Sequence, residues 1–230
     1  MTIDGSTFLA TVRPALEKGN PRMLESVVST RWNFLDLCQL LQNADVDVRR
    51  VAAVTLGFVG DMSCVPCLTR ALHDTDEQVN QMADHGLWSI WFRRGGNVQA
   101  MLPFKQGTSR LAEEDYQGAI NSFGEATRID PHFAEAYNQC AIAHSFLGQW
   151  RESIDDCRRT LQNLPTHYGA LNGMGHCHTQ LGDLRQALDC YKRALSINPR
   201  MSLIQYACSR IESRLKNDSS GQFKAIHLPA

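Results

Sequence analysis

Three prolines at a fixed spacing constrain this chain more than any other feature. Pro131, Pro165 and Pro199 stand 34 residues apart, and the sequence between them repeats with the same period. Proline lacks the backbone N–H that a helix interior needs, so each of these residues is expected to follow the end of a helix. A period of this length predicts a tandem array of helical hairpins.

Three repeat units, 100–133, 134–167 and 168–201, share residue types at equivalent places. A small residue fills the eighth place and a large apolar residue fills the seventeenth. They are Gly107, Ala141 and Gly175 at the eighth place, and Tyr116, Trp150 and Leu184 at the seventeenth. Small side chains let antiparallel helices approach closely, and large ones fill the space between neighbouring hairpins. Each of the three units is therefore expected to form a pair of antiparallel helices.

This pattern resembles the tetratricopeptide repeat family over roughly 100 of 230 residues. The segments "AEAYNQCAIAHSFLGQWRESIDDCRRTLQNLP" and "LNGMGHCHTQLGDLRQALDCYKRALSINP" are close to its consensus, with Gly148 and Gly182 at the turns. The first unit departs from the consensus, because Glu114 replaces the turn glycine and Pro103 stands near the start of its first helix. After Pro199, "SLIQYACSRIESRL" has one apolar stripe and predicts a capping helix.

The N-terminal half repeats at a period of 31 residues. When the sequence is compared with itself 31 residues further on, apolar residues match apolar residues. Asp45 matches Asp76, and each of these aspartates could cap a helix. The matched apolar pairs are Leu37 with Leu68, Leu41 with Leu72, Val48 with Val79, Ala52 with Ala83, and Leu56 with Leu87. "NADVDVRRVAAVTLGFVGD" resembles HEAT repeats of the bilin-lyase-like type. Residues 8–31 look like a leading hairpin with its turn at 19–21.

The prediction is an all-α protein, an α-solenoid of antiparallel helical hairpins. We expect HEAT-like repeats at 1–96, three tetratricopeptide units and a capping helix at 97–216, and a flexible tail at 217–230. Few residues without helical pattern separate the two repeat regions, so one continuous solenoid is expected.

Composition excludes several classes of function. The net charge is −1 and no basic stripe occurs, which disfavours nucleic-acid binding. We expect no signal peptide, no membrane span and a cytoplasmic protein. Four cysteines at helix positions are expected to be reduced core residues. They are Cys140, Cys157, Cys177 and Cys190.

Two clusters could bind a metal. Cys64 and Cys67 form a C-x-x-C pair, which could be half of a zinc site or a redox pair. A zinc site would need a second ligand pair at suitable spacing and only His73 and His85 lie nearby, so core packing is the favoured interpretation. His176, Cys177 and His178 are consecutive, and consecutive helical residues point about 100° apart, so they cannot converge on one ion. We expect no metal and no cofactor.

Two further clusters could serve binding or catalysis. Asp84 and His85 could act as an acid–base pair near Arg49 and Arg50, although a polar solvent-facing surface is the ordinary interpretation. Trp88, Trp91 and Phe92 could form a binding hot spot, but a hydrophobic joint between the two repeat regions is favoured.

The tetratricopeptide resemblance implies a peptide-binding groove. In that family the first helix of each unit lines a concave surface, with places 2, 5, 6, 9, 12 and 13 facing into it. The groove residues expected here are Lys105, Thr108, Asn138, Gln139, Ile142, Asn172, His176 and Gln180. The side chains of Asn138, Asn172 and His176 are expected to be free for recognition, because the hairpin core does not need them. Amide side chains can hydrogen-bond an extended peptide backbone.

Two functions from different classes follow from these patterns. The favoured one is a non-enzymatic scaffold that holds a protein or peptide partner. Co-chaperones of the family use a clamp of lysines, an arginine and asparagines for a C-terminal carboxylate. The matching positions here are Phe104, Thr108, Gln139, Gly169 and Gly173, so binding to chaperone tails is not expected. The alternative is an enzyme or enzyme subunit of the bilin-lyase-like type. The partner and the oligomeric state stay open.

Overall fold

The computed structural model describes residues 3–219, apart from the side chains of Arg94, Asp218 and Ser219. Within that range the chain forms α-helices joined by short turns, and no strand occurs. The all-α prediction is therefore confirmed. The helices are α1 (Gly5–Glu17), α2 (Pro21–Ser29), α3 (Phe34–Leu40), α4 (Val46–Val59), α5 (Val65–Ala71), α6 (Glu77–Arg94), α7 (Met101–Ala112), α8 (Tyr116–Ile129), α9 (Ala134–Phe146), α10 (Trp150–Asn163), α11 (Tyr168–Gln180), α12 (Leu184–Ile197) and α13 (Ser202–Ser219).

The chain divides into two compact units. The first comprises the described residues up to Met101 together with His132–Glu135, and the second comprises Leu102–Pro131 and the described residues from Ala136 onward. In the first unit Phe133 is fully buried against Gly96, where a Cβ would have no room. The domain boundaries and the single continuous solenoid expected from the sequence stay predictions.

The first unit is built from three helical hairpins whose apolar faces meet. The leucine, valine and alanine pairs matched by the 31-residue shift are all buried, as their spacing predicts. Both matched aspartates begin a helix: Asp45 accepts a hydrogen bond from the Asp47 amide at 2.9 Å, and Asp76 accepts one from the Val79 amide at 3.0 Å. Each cap satisfies an amide that would otherwise lack a partner at the helix start.

Cys67 does not have the role expected from the sequence. It was expected to be a packing residue beside Cys64, but it forms a disulfide with Cys38, with the two Cα atoms 5.7 Å apart. The bond ties α3 to α5, and both cysteines are only half-buried. Cys64 is a buried free thiol.

The second unit is a series of hairpins in which small residues allow close packing. The ring of Phe123 lies against Gly107, and the ring of Tyr191 lies against Gly175; in both places a Cβ would come within 2.5 Å of a ring carbon. Ala141 is also buried, and its carbonyl accepts a hydrogen bond from the Ser153 hydroxyl at 2.8 Å. The eighth place of each unit therefore needs a small residue because the second helix of the same hairpin lies directly on it.

The predicted turns and capping helix are present. Gly148 and Gly182 have φ of 71° and 80°, and Glu114, at the equivalent place in the first unit, has φ of 63°. Helix α13 packs Ile211 and Cys208 against Ala187 and Tyr191 of the last hairpin. It runs to Ser219, so the expected tail is helical at 217–219, and the rest of it, 220–230, lies outside the described residues.

Candidate peptide-binding surface

The residues predicted to bind a peptide are carried by three helices of the second unit. Helices α7, α9 and α11 are the first helices of their hairpins. Thr108, Ile142 and His176 occupy the same ninth place of successive units, so their side chains leave equivalent helices in equivalent directions. We call the eight predicted residues the candidate surface. They are Lys105, Thr108, Asn138, Gln139, Ile142, Asn172, His176 and Gln180.

Six of the eight side chains are accessible to a ligand. Lys105, His176 and Gln180 are exposed, while Thr108, Ile142 and Asn172 are half-buried. The Thr108 hydroxyl donates a hydrogen bond to the Lys105 carbonyl at 2.8 Å within its own helix. Its methyl group and the lone pairs of its hydroxyl oxygen are therefore left for a contact.

Asn138 and Gln139 differ from the other six. Their exposed fractions are 3% and 6%, and both make interactions within the protein. The expectation that Asn138 is free for recognition is therefore wrong, and Gln139, which was expected to face the groove, is buried as well. A buried amide must satisfy its hydrogen bonds inside the fold, because leaving one unmade costs about 1–3 kcal/mol. Their role in the fold competes with any role in binding.

His176 is positioned by an aromatic neighbour. The ring of Trp150 lies edge-on to the imidazole, with centroids 5.8 Å apart and an interplanar angle of 73°. Trp150 begins the second helix of the preceding hairpin. The contact restricts the rotation of an exposed histidine, so less conformational freedom is lost when a ligand binds it.

Phe146 is a further candidate residue, which was not predicted from the sequence. This side chain is 62% exposed and stacks on Tyr116, with ring centroids 4.9 Å apart and an interplanar angle of 14°. It occupies the thirteenth place of its unit, as Gln180 does in the next. An exposed aromatic ring held by a second ring is a common anchor in protein interfaces. The repeat place alone could have identified it.

A shallow depression of about 400 Å³ lies on the opposite face of α11. Met174 and His178 line this depression. Each is two residues from His176 of the candidate surface, so its side chain points about 200° away from His176 around the helix. The arginines Arg158 and Arg193 stand at its edge. This face supplies exposed control positions for any test of the candidate surface.

The structure also places the other clusters that were seen in the sequence. Arg49 and Arg50 are held by Asp74 and Asp76 rather than by Asp84. On α6, His85 is exposed and Asp84 is half-buried. On α11, Cys177 is buried while His176 is exposed, so the consecutive His-Cys-His residues point apart as expected. Trp91 is buried against the edge of Trp88, with ring centroids 5.0 Å apart.

Comparison with known proteins supports both repeat classes. Residues 168–201 match the family model for the tetratricopeptide repeat, and residues 35–95 match that for HEAT repeats. The chain therefore contains HEAT repeats followed by tetratricopeptide repeats, as its sequence predicts. Both are repeat classes that stack helical hairpins into extended surfaces.

Several curated proteins similar to this chain are named for their tetratricopeptide repeats. The chain is 24% identical over 115 residues to the small glutamine-rich tetratricopeptide repeat-containing protein 2 of Mycosarcoma maydis, covering 50% of this chain and 33% of that one. It spans between 27% and 59% of the length of three such curated relatives.

Two solved structures share the fold. The Sgt2 domain from Aspergillus fumigatus superposes with a TM-score of 0.52 at 15% identity, over 58% of this chain and 91% of that one. The first tetratricopeptide domain of Spaghetti (RPAP3), bound to the HSP90 peptide SRMEEVD, superposes with a TM-score of 0.51 at 20% identity. The match covers 53% of this chain and 98% of that one. At these identities the likeness establishes the fold.

Among the described residues, no helix combines the length and apolar character that a membrane crossing requires.

Proposed function

We propose that the protein is a non-enzymatic scaffold whose second unit binds an extended segment of a partner protein. The observation that carries this proposal is the repetition of accessible side chains on the first helices of successive hairpins. Lys105, His176 and Gln180 are exposed, although α11, which carries the last two, packs against both α10 and α12. Side chains that the core does not use, repeated along a solenoid, suit a ligand that lies across several units.

The chemistry of the accessible residues favours a peptide backbone with an apolar side chain. Asn172 and Gln180 can each donate and accept hydrogen bonds, as an extended backbone requires. Phe146, stacked on Tyr116, offers an apolar anchor. Lys105 provides a positive charge at one end of the candidate surface, where an acidic residue of the ligand would be favoured.

Recognition is proposed to be independent of a C-terminal carboxylate. The Spaghetti domain is bound to an HSP90 peptide that ends in Glu-Val-Asp. In this chain the matching clamp places hold no charged residue, and two of them, Phe104 and Gln139, are buried. A terminal carboxylate would lose its water without gaining a cation in exchange, which is unfavourable.

The alternative of a bilin-lyase-like enzyme would place an acid–base pair at Asp84 and His85, of which His85 is exposed and Asp84 half-buried. We further propose that the scaffold works in the cytoplasm, where buried free thiols such as Cys157 and Cys190 stay reduced. Because disulfides are rare in the cytoplasm, the redox state of Cys38 and Cys67 tests this localisation.

A matched pair of triple variants tests the binding proposal. A partner is first captured from the native lysate and its binding segment is mapped by peptide fragments. The candidate-surface variant Asn172→Ala/His176→Ala/Gln180→Ala should weaken binding of that segment by at least about tenfold, because each lost hydrogen bond contributes about 0.5–1.5 kcal/mol. The control variant is Arg158→Ala/Gln186→Ala/Arg193→Ala, whose residues lie on α10 and α12 and line the depression beside Met174 and His178, and it should bind as wild type does.

Peptide SRMEEVD provides the test of specificity. We expect no saturable binding at concentrations where the mapped segment saturates the protein. Unchanged affinity in a folded candidate-surface variant would contradict the proposed site. Carboxylate-dependent binding of SRMEEVD would contradict the proposed mode of recognition.

A further inference from the structure

Three side chains that commonly bind metals meet between α9 and α10. The Cys140 thiol, a ring nitrogen of His144 and a carboxylate oxygen of Asp156 all lie within 4.8 Å of one another. Cys140 and His144 are four residues apart and share one face of α9, while Asp156 reaches them from α10. Three ligand atoms this close can bind one ion after small side-chain rotations.

The tautomer of His144 is set by a hydrogen bond outside the cluster. Its Nδ1 lies 2.6 Å from Oε1 of Gln149. An amide oxygen only accepts, so Nδ1 carries the proton and the Nε2 of a neutral ring keeps its lone pair. Metal-bound histidines are usually held in this way, by a partner that accepts from the nitrogen not bound to the metal.

The lone pair of His144 faces another acceptor. Nε2 lies 3.5 Å from Oδ2 of Asp156. A neutral imidazole and a carboxylate repel each other at this distance unless a proton or a metal cation lies between them. The nearest arginine, Arg159, is exposed and its Nη1 is 3.9 Å from Asp156 Oδ1, too distant for a strong hydrogen bond.

Burial makes the negative charges of this cluster unfavourable without a cation. The side chains of His144 and Asp156 are 17% and 12% exposed, and Cys140 is 7% exposed. Both the Asp156 carboxylate and a Cys140 thiolate lose water in this position, and a bound cation would offset that loss. The remaining exposure of His144 provides a path by which an ion can enter.

We propose that Cys140, His144 and Asp156 bind one zinc ion, with water in the fourth position. Sulfur, imidazole nitrogen and carboxylate oxygen together suit zinc, whereas calcium and magnesium prefer oxygen ligands alone. On binding, the Cys140 Sγ–H bond breaks and its proton leaves to solvent, while the sulfur lone pair forms the bond to zinc. His144 contributes the Nε2 lone pair and Asp156 its ionised carboxylate. No electron is transferred.

Cobalt is the probe for this site, because a thiolate bound to Co²⁺ gives a near-ultraviolet charge-transfer band. The full-length protein, stripped of metal with a chelator, is titrated with CoCl₂ and then with ZnCl₂. We expect the band to saturate at one cobalt per chain and to disappear as zinc replaces cobalt. The melting temperature should rise when zinc is added, because the ion binds the folded state.

Single substitutions assign the ligands. Cys140→Ser should abolish the charge-transfer band and the zinc-dependent rise in melting temperature. Cys190→Ser, which removes a buried thiol on α12 outside the cluster, should leave both unchanged. Gln149→Ala removes the partner of His144 but no ligand, so the band should remain while zinc affinity falls by about 10- to 100-fold.

The Gln149 variant keeps the proposal testable if Cys140→Ser fails to fold. A wild-type protein that shows no charge-transfer band would overturn the zinc proposal. So would a band that persists in folded Cys140→Ser, or zinc affinity that Gln149→Ala leaves unchanged.

Discussion

Arg50 and Asp76 form a two-point ion pair between consecutive hairpins of the first unit. Nε of Arg50 lies 3.0 Å from Oδ1 of Asp76, and Nη2 lies 2.6 Å from Oδ2. Asp76 also caps α6 through the Val79 amide, so one carboxylate joins two elements. Arg49 makes a similar pair with Asp74, at 2.8 and 3.0 Å. The paired geometry is the strongest that arginine makes with a carboxylate.

This ion pair predicts a dependence of stability on pH. The hydrogen bond from Arg50 lowers the pKa of Asp76 to about 2. Because the folded-state pKa lies below that of the unfolded chain, the pair contributes stability above about pH 4 and loses it as the pH falls towards 2. Asp76→Asn keeps a residue that can cap α6 but removes the charge. It should therefore lower the free energy of unfolding at pH 7 and lower it less at pH 2.5.

The matched control is Asp45→Asn, at the equivalent cap of the preceding repeat. Asp45 accepts a backbone hydrogen bond and forms no ion pair with an arginine among the described residues. Urea unfolding of each variant, followed by tryptophan fluorescence at pH 7, 5 and 2.5, measures the effect. A loss of stability that is the same for both variants at every pH would show that capping alone matters.

The close contact of Gly175 with Tyr191 predicts a large effect of one methyl group. A Cβ at this position would lie 2.5 Å from a carbon of the buried ring. Gly175→Ala should therefore destabilise the second unit by about 1–3 kcal/mol through overpacking. Gly124→Ala is the control, because nothing lies within 4 Å of a Cβ at that exposed helical site. It should stabilise the protein by about 0.5–1 kcal/mol, as measured by urea unfolding.

Glu114 predicts a stabilising substitution. Its φ of 63° is one that residues with a side chain rarely adopt, and the equivalent turns use Gly148 and Gly182. Glu114→Gly should raise the free energy of unfolding by up to about 1 kcal/mol, since relief of the backbone strain exceeds the entropy cost of glycine. The reverse change, Gly148→Ala, should lower it by about 1 kcal/mol. A destabilised Glu114→Gly variant would show that the glutamate side chain has a role of its own.

Local periodicity explains why much of the fold could be predicted. The buried pairs of the first unit and the cap at Asp76 follow from residues a few places apart in one hairpin. The small eighth places, with Gly107 and Gly175, could be recognised because each packs on the next helix in the sequence. Such contacts repeat with the sequence, so a repeat pattern contains them.

Contacts between side chains of different helices were not predictable in this way. Asn138 occupies a place that faces the groove in the family, yet packing in this protein buries it. Cys140, His144 and Asp156 come together across a turn, with a spacing that matches no common metal-binding pattern. The partner of Cys67 depends on which helix lies beside α5, and disulfide connectivity cannot be deduced from sequence alone.

The Cys38–Cys67 bond predicts a redox-dependent stability of the first unit. The two cysteines are 29 residues apart, and closing a loop of this length stabilises the folded state by about 3–4 kcal/mol in the chain-entropy model. Dithiothreitol should therefore lower the midpoint of urea unfolding of the wild-type protein. The double variant Cys38→Ser/Cys67→Ser should unfold at the lower midpoint with or without reductant. Cys64→Ser is the control. Because Cys64 is buried and forms no disulfide, this variant should retain the response to dithiothreitol. Alkylation of Cys38 and Cys67 in protein that was purified without reductant, detected by mass spectrometry, would contradict the bond and favour a reducing compartment.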